Sequence, residues 1–512
     1  MADNVYRTPA VQPPTVDKLR QIATKYGFGD TSEKDLQDYQ VHISHLLKAY
    51  TKVSEYPEPT LPVNYPRTPG YRPGKEENKH NAWYYKSEIK GAPNGILSGK
   101  NVAIKDCIPV AGVPMMNGAT MMEGYVPDID ATVVTRALDA GATIKGKAVC
   151  EFFCLSSGSS FTCGTGAILN PFDKTRSAGG SSNGCAVLLA NGEVDLALAA
   201  DQGGSIRLPA SWCGVVGMKP TFGLVPYTGV ATLEPTMDHV GPMARNAKDC
   251  ALLLEAVAGC DGELDSRQRY DYTPPKYSEM LNGDLKGVKI GLVKEGFVGC
   301  EGEIDLLVKE AAMKLTAKGA VVEEVSISMH TDGAHIAVPV IAGGAYNHLI
   351  LGNSGIGAKG YYPTGMISVG DRAMKSGYRE LTPTLKKLLM LGEYVNETHG
   401  VKHYARSQNV SRLLAEAYDR VLGDYDVIVM PTIKFKPPKL PTGEPSIHEY
   451  LSAVFANIAN VASFNVTGHP SLTVNAGFAE GLPVGMLICA KRFNDVMVLR
   501  VAHAHELIRD QK

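Results

Sequence analysis

An excess of charge of either sign is missing from this chain. Its 51 basic and 53 acidic residues leave a net charge of -2, with no long basic run, which argues against nucleic acid and against a basic helix lying on a membrane. An apolar run of the roughly 18 residues that span a bilayer is missing too, and the first 30 residues lack the charged-then-apolar order of a secretion signal. The ten cysteines contain no C-x-x-C pair, and Cys150, Cys154 and Cys163 lack the paired spacing or neighbouring histidines of a zinc site. These absences lead us to expect a soluble, cytoplasmic protein without metal or membrane, in which the sequons at Asn396, Asn409 and Asn465 are incidental.

Common catalytic signatures are also missing. No histidine carries a partner motif for a serine triad, no serine sits in a G-x-S-x-G elbow, and Gly214 to Thr221 fails the phosphate-loop spacing. What stands instead is a pair of glycine-serine clusters, Gly179-Gly180-Ser181-Ser182-Asn183-Gly184 and Asp201-Gln202-Gly203-Gly204-Ser205-Ile206-Arg207, with Ser181 and Ser205 24 positions apart. A glycine pair before a serine lets consecutive backbone N–H groups converge on one point, as an oxyanion beside a nucleophile requires. Upstream, Asn101-Val102-Ala103-Ile104-Lys105-Asp106 reads as a buried strand that delivers an amine at its end. A serine hydroxyl needs a base, and lysine serves only when neutral, a form that burial in a dry pocket favours. A second serine could relay the proton.

These residues resemble the amidase signature family of Ser-cisSer-Lys hydrolases. The resemblance extends through Trp212 to Thr221, Asp238-His239-Val240-Gly241-Pro242, Val429-Met430-Pro431-Thr432 and Gly468-His469-Pro470-Ser471-Leu472, covering roughly residues 96 to 507. Within the family the chain looks most like the broad-substrate amidases of nitrile pathways, sharing their long N-terminal arm and the stretch Gly112-Val113-Pro114-Met115-Met116-Asn117-Gly118. The resemblance implies Ser205 as nucleophile, Ser181 as the serine after a cis peptide bond and Lys105 as base. It also implies the N–H groups of Gln202, Gly203, Gly204 and Ser205 as the oxyanion hole. Asn183 stands where the family has glycine or serine, which predicts a left-handed conformation there.

The implied activity is hydrolysis of small aliphatic or aromatic amides to acid plus ammonia or amine, through a Ser205 acyl-enzyme and without a cofactor. The same triad would serve carbamates (as a urethanase), anilides or esters, and the glutaminase subunit of an amidotransferase is a further alternative. Asp201 and Arg207 read as a structural pair beneath the oxyanion loop, and His239 and His469 as scaffold. Met115 and Met116, with Ser182, are candidates for the substrate pocket. A Cys150-Glu151-Lys105 site of nitrilase type is a weaker reading, because Cys150 lies in an apolar run.

The expected fold is α/β, a mixed sheet covered by helices, with an N-terminal helical arm. Residues 1 to 95 read as the arm and a proline-rich linker: helices at Thr15 to Tyr26 and Ser32 to Tyr50, then six prolines from Pro57 to Pro73. Residues 96 to 512 read as the catalytic domain. Within it the pattern predicts strands at 101 to 105, 142 to 145, 287 to 293, 320 to 327 and 426 to 430, and helices at 131 to 140, 246 to 258 and 304 to 318. Residues 330 to 400, rich in Gly, Tyr, Ile and Met, break this rhythm and suggest a small cap. The resemblance further implies a homodimer.

Overall fold

A computed structural model of the chain describes residues 11–155, 158–352, 354–443, 445–452 and 457–510. It divides into two compact units, Met1–Leu61 and Pro62–Lys512.

The first unit is a helical hairpin. Thr15 caps α1 (Val16–Lys25) by accepting from Lys18 N, and Ser32 caps α2 (Glu33–Ser54) by accepting from Asp35 N. Both are side-chain caps of the kind that fix where a helix starts. Leu19, Ala23 and Leu36 are the buried residues of its helices, and Arg20 pairs with Glu33 across the turn.

The second unit is built on one sheet of eleven strands in the order β1-β3-β2-β4-β6-β5-β10-β11-β9-β7-β8. In chain order these are β1 (Trp83–Lys90), β2 (Asn101–Lys105), β3 (Thr143–Ala148), β4 (Leu196–Asp201), β5 (Val216–Lys219), β6 (His239–Ala244), β7 (Lys289–Val293), β8 (Val321–Val325), β9 (Val427–Pro431), β10 (Ser471–Ala479) and β11 (Leu482–Ala490). Parallel pairing at the two flanks, β3-β2-β4 and β9-β7-β8, encloses an antiparallel centre. The fold is therefore α/β with a mixed sheet, and each of the five predicted strands is present. The division between units falls at Leu61, earlier than residue 95, because β1 is a sheet strand paired antiparallel with β3.

The helices that matter for the site follow the strands: α3 (Thr132–Asp139), α4 (Asn183–Ala190), α5 (Arg207–Cys213), α6 (Ala247–Val257), α7 (Lys294–Phe297) and α8 (Gly302–Lys314). Residues 330 to 400 form regular helices, α9 (Gly333–Ile350, with Pro339 inside), α10 (Thr364–Gly377) and α11 (Pro383–His399), and α12 (Lys402–Asp424) comes next. Because β2 and β4 run parallel and adjacent, with Val102 opposite Leu196 and Ile104 opposite Leu198, their carboxyl ends open on the same edge. That edge is where an open α/β sheet places its ligands.

Candidate active site

Lys105 ends β2 and is completely enclosed, at 0% exposure. Val102, Ala103 and Ile104 bury the strand, so the amine is held at a depth where water cannot solvate an ammonium. Its Nζ lies 2.8 Å from Ser181 Oγ and donates to Ala200 O at 3.0 Å. Since Ala200 O can only accept, a neutral amine keeps its lone pair for the Ser181 hydroxyl. Two opposed influences act on this group. Burial, the larger, disfavours the charged form, while the sulfurs of Cys154, Cys107, Cys150 and Cys185 favour it and carry its pKa above the ordinary lysine value. The second influence lasts only while sulfur bears negative charge. Burial pushes the thiols of Cys107, Cys150 and Cys185 up, so it rests on Cys154, which hydrogen bonds with Cys107 and Cys150, and the nearby Lys105, draw well down. A neutral Lys105 amine therefore requires that the proton sit on Cys154 Sγ, while the thiolate form of Cys154 holds the amine charged.

Ser181 is 1% exposed and follows a cis peptide bond from Gly180. The turn accepts only glycine before it: Gly179 has φ +81°, and a Cβ on Gly180 would lie 2.2 Å from Glu151 Oε2. Glu151 is itself fixed, accepting from Ser160 N at 2.7 Å, Gly158 N at 3.2 Å and Ser159 Oγ at 3.0 Å, and donating its N–H to Ser181 O at 3.3 Å. Asn183 does not take the expected left-handed conformation; it is the first residue of α4, and its side chain donates to Cys163 Sγ. The helix starts there because the turn is already complete at Ser182.

The second cluster is shaped by Asp201. Its carboxylate accepts from Gly204 N (2.7 Å), Ile206 N (3.0 Å), Asn465 Nδ2 (2.8 Å) and, in a fork, from Arg207 Nε (3.0 Å) and Nη2 (2.9 Å). Burial would raise this carboxyl, but Arg207, Asn465 and the Ile206 amide outweigh it and hold it far below the usual carboxylate range. Arg207 also donates to Val461 O, Ser471 Oγ and Asn465 Oδ1. The two clusters are joined by Ser182 N donating to Ser205 O at 3.1 Å, and Gly203 and Ser205 remain half-buried at the mouth. Among the described residues, the N–H groups of Gln202, Gly203 and Ser205 meet no acceptor. Gly204, expected with them, is a correction: its N–H is turned to Asp201, at a φ of +120° where a Cβ would meet Val461 Cγ2 at 2.5 Å.

The expected pocket residues also need correcting. Met115 and Met116 are at 0% exposure, packed in the core with their amides bonded to Tyr125 O and Asp106 Oδ2. Ser182 is equally enclosed and donates to Ala200 O at 3.1 Å, so it shares an acceptor with Lys105 and lines no cavity. A cavity of about 780 Å³ lies instead among α9, α11 and α12, lined by residues that include Val338, Ala342, Tyr346, Leu391, Tyr394 and Tyr404. None of Lys105, Ser181, Gln202, Gly203, Gly204 and Ser205 lines it; α9 reaches the site instead through Ile341, which is not among its lining residues, since a Cβ on Gly203 would stand 3.6 Å from Ile341 Cδ1. His239 and His469 are held in the scaffold by Met237 O and by Thr467 and Asp419. Among the described residues no group of three His, Cys, Asp or Glu could hold a metal.

Sequence reasoning named Glu151 only in the nitrilase-type alternative, not as a support of the Ser181 turn, and did not find the roles of Asn465 or of Tyr227, whose hydroxyl accepts from Gln202 Nε2 at 2.9 Å and donates to Ala231 O. A carboxylate inside the apolar run Val149-Cys150-Glu151-Phe152-Phe153 was a usable signal for the first; nothing local marks the other two.

The mixed α/β sheet thus brings a buried lysine onto a serine, beside a second serine-bearing loop whose Gln202, Gly203 and Ser205 amides meet no acceptor among the described residues. The Amidase family profile matches residues 73–499, and the chain belongs to this amidase signature family, whose members are hydrolases of amides. It is 40% identical over 501 residues to an enantioselective amidase of Rhodococcus rhodochrous, covering 96% of this chain and 95% of that one. It is 36% identical to one subunit of the glutamyl-tRNA(Gln) amidotransferase of Methanosarcina mazei, over 81% of this chain and 86% of that one. A solved structure of the same subunit from Thermotoga maritima superposes with a TM-score of 0.68 at 27% identity, covering 84% of this chain and 88% of that one.

Proposed function

We propose that the protein hydrolyses the C–N bond of small aliphatic or aromatic carboxylic amides by way of an acyl-enzyme on Ser205. Neutral Lys105 takes the Ser181 proton while Ser181 takes that of Ser205, whose Oγ attacks the amide carbonyl. The N–H groups of Gln202, Gly203 and Ser205 hold the oxyanion, and each such donor is worth about 100- to 1000-fold in rate. The proton returns through Ser181 to the leaving nitrogen, ammonia or an amine departs, and water activated by the same relay hydrolyses the ester. No step needs a cofactor. The observation that carries this reading is the 2.8 Å contact between Lys105 Nζ and Ser181 Oγ, set beside a Ser205 loop that Ser182 holds in place.

The test is release of ammonia or amine from benzamide, propionamide, an anilide, ethyl carbamate and glutamine by wild type and Ser205→Ala. Fast Ser205-dependent turnover of simple amides is expected. Preference for the carbamate or anilide would reassign the substrate class, and Ser205-independent turnover would overturn the nucleophile. The amidotransferase relatives favour a second reading, a glutaminase subunit that delivers ammonia to a partner; turnover of glutamine alone would select it. The approach of Ile341 to Gly203 supports α9 as part of a cap that shapes the substrate's surroundings.

We further propose a homodimer formed through α2, and a cytoplasmic location, which ten free cysteines support. Leu36, Tyr39, Ile43, Leu46, Tyr50 and Val53 follow alternating steps of three and four, the seam of a coiled coil. Tyr39, Leu46, Tyr50 and Val53 of that seam are exposed. Glu33, Asp35 and Asp38 lie at one end of the helix and Lys48 and Lys52 at the other, so an antiparallel copy meets opposite charge. Leu46→Glu should give a monomer in sedimentation; an unchanged dimer would rule out this face.

A further inference from the structure

The turn Phe152–Cys154 lies directly behind Ser181. Glu151 N donates to Ser181 O, and Cys154 N donates back to Glu151 O at 2.8 Å, so any movement of the turn reaches the serine through one residue. Two consecutive non-glycine residues, Phe153 with φ 48° and Cys154 with φ 59°, hold left-handed conformations there. Each is a strained state by about 1–3 kcal/mol, found where surrounding structure enforces it. The turn brings Cys154 Sγ to 4.0 Å from Cys150 Sγ, and both sulfurs face Asn117 Oδ1, at 3.4 and 3.8 Å. Cys154 is 7% exposed and Cys150 not at all. The proposed relay uses neither thiol.

We propose that Cys150 and Cys154 are a hydroperoxide-reactive dithiol whose oxidation to a disulfide disables the Lys105–Ser181 contact. The Cys154 thiolate attacks a peroxide oxygen and the O–O bond breaks, giving a sulfenic acid and hydroxide, which takes back the proton the thiol had lost and leaves as water; the Cys150 thiol then displaces the sulfenic oxygen, which leaves with the Cys150 proton as a second water, and forms the S–S bond. Overall two thiols are oxidised and one hydrogen peroxide is reduced to two waters. Cys154 reacts first because it keeps some exposure, and because its thiolate, favoured by hydrogen bonds with Cys107 and Cys150 and by the nearby Lys105, is the form in which the Lys105 amine holds the proton, whereas burial keeps Cys150 protonated. A disulfide is about 2.05 Å long, so the sulfurs must close roughly half their separation, and the Glu151 amide that fixes Ser181 moves with them.

The experiment treats the full-length protein with hydrogen peroxide, then dithiothreitol, and follows tryptic masses, fluorophosphonate labelling of Ser205 and amide turnover. The turnover and labelling arms rest on the proposed reading of Ser205; the mass arm decides whether the bridge forms even if no amide is hydrolysed and Ser205 takes no label. We expect the peptide Ala148–Lys174 to lose two hydrogens, with fragment ions placing the bridge between Cys150 and Cys154. Labelling and turnover should fall at least tenfold and return on reduction. Cys150→Ser should form no bridge and, measured against its own untreated activity, lose turnover to peroxide in a way dithiothreitol does not reverse. A bridge to Cys163, a cross-link to the peptide Asp106–Arg136 that carries Cys107, no bridge at all, or a Cys150–Cys154 bridge that leaves labelling unchanged would each overturn the proposal.

Discussion

Two buried cations stand at the carboxyl ends of neighbouring strands and are treated in opposite ways. Arg207 is saturated: its guanidinium makes five hydrogen bonds, two of them in a fork to Asp201, and ties the oxyanion loop to Val461, Asn465 and Ser471. Lys105 has two partners, a serine hydroxyl and a carbonyl, and among the described residues no carboxylate forms an ion pair with it. A cation paired by an ionised carboxylate cannot give up its proton at neutral pH, while one in a dry site whose nearby anion is a titratable thiol can pass the proton to it. The same burial that makes Arg207 scaffold therefore makes Lys105 a candidate base, and the counterion decides between the two roles.

The comparison breaks most sharply by deleting each cation in turn. Lys105→Ala should lower kcat/KM by about 100- to 10,000-fold, the range of general-base catalysis, while the thermal midpoint stays equal or rises, because a poorly compensated buried amine is lost. Arg207→Ala should do the reverse in kind. It strands the Asp201 carboxylate, and breaking one side of a buried pair costs about 3–5 kcal/mol, read as a lower urea midpoint. Arg207→Lys should recover only part of this, since the ammonium cannot supply the fork. An Arg207→Ala protein of normal stability, or a Lys105→Ala protein that unfolds, would erase the distinction.

A smaller effect sharpens it within the loop that Arg207 supports. Gly204→Ala places a Cβ at 2.5 Å from Val461 Cγ2 in a left-handed conformation and should cost about 1–3 kcal/mol. Gly203→Ala meets only Ile341 at 3.6 Å, ordinary contact, and should leave the thermal midpoint nearly unchanged. Equal midpoints for the two variants would mean that the loop is not held as rigidly as Asp201 implies.

How much of this was legible in the sequence follows the same divide between local and distant causes. Lys105, Ser181, Ser205, Asp201 and Arg207 lie in short segments whose glycines and terminal charges announce special backbone, and α1, α2, β2 and β7 show clean apolar patterns. Strands β4, β5 and β6, by contrast, read Leu-Ala-Leu-Ala-Ala-Asp, Val-Gly-Met-Lys and His-Val-Gly-Pro-Met-Ala. They are buried on both faces and made of small residues, so neither period nor β-propensity marks them. Asn465 and Tyr227 reach the oxyanion loop from 264 and 25 positions away, and no local signal encodes that distance. Residues 330 to 400 looked irregular because glycine and proline weaken helix propensity, which packing overrode in α9. Met115 and Met116 looked like a pocket wall because apolar runs do not distinguish a wall from a core.

A third buried cation allows the finest version of the test. Lys219 ends β5 at 0% exposure, donates to Pro220 O at 3.0 Å and stands 3.3 Å from His239 Nε2, with no carboxylate in ion-pair range among the described residues. Burial, with repulsion from Arg207, pulls its pKa down to about 7. The unfolded lysine still binds its proton up to about 10.4, so between those values the unfolded state holds more protons than the folded one and stability must rise with pH. Below about 7 both forms are protonated and this contribution is flat, at its least favourable. Lys219→Met keeps the length and apolar contacts of the side chain and removes the titration. Urea midpoints at pH 7.5 and 9.5 should therefore separate more for wild type than for Lys219→Met, with the variant the more stable at the lower pH. Equal pH slopes for the two proteins would mean that Lys219 keeps its proton when buried, and that the absence of a carboxylate is not enough to make a buried lysine of this fold neutral.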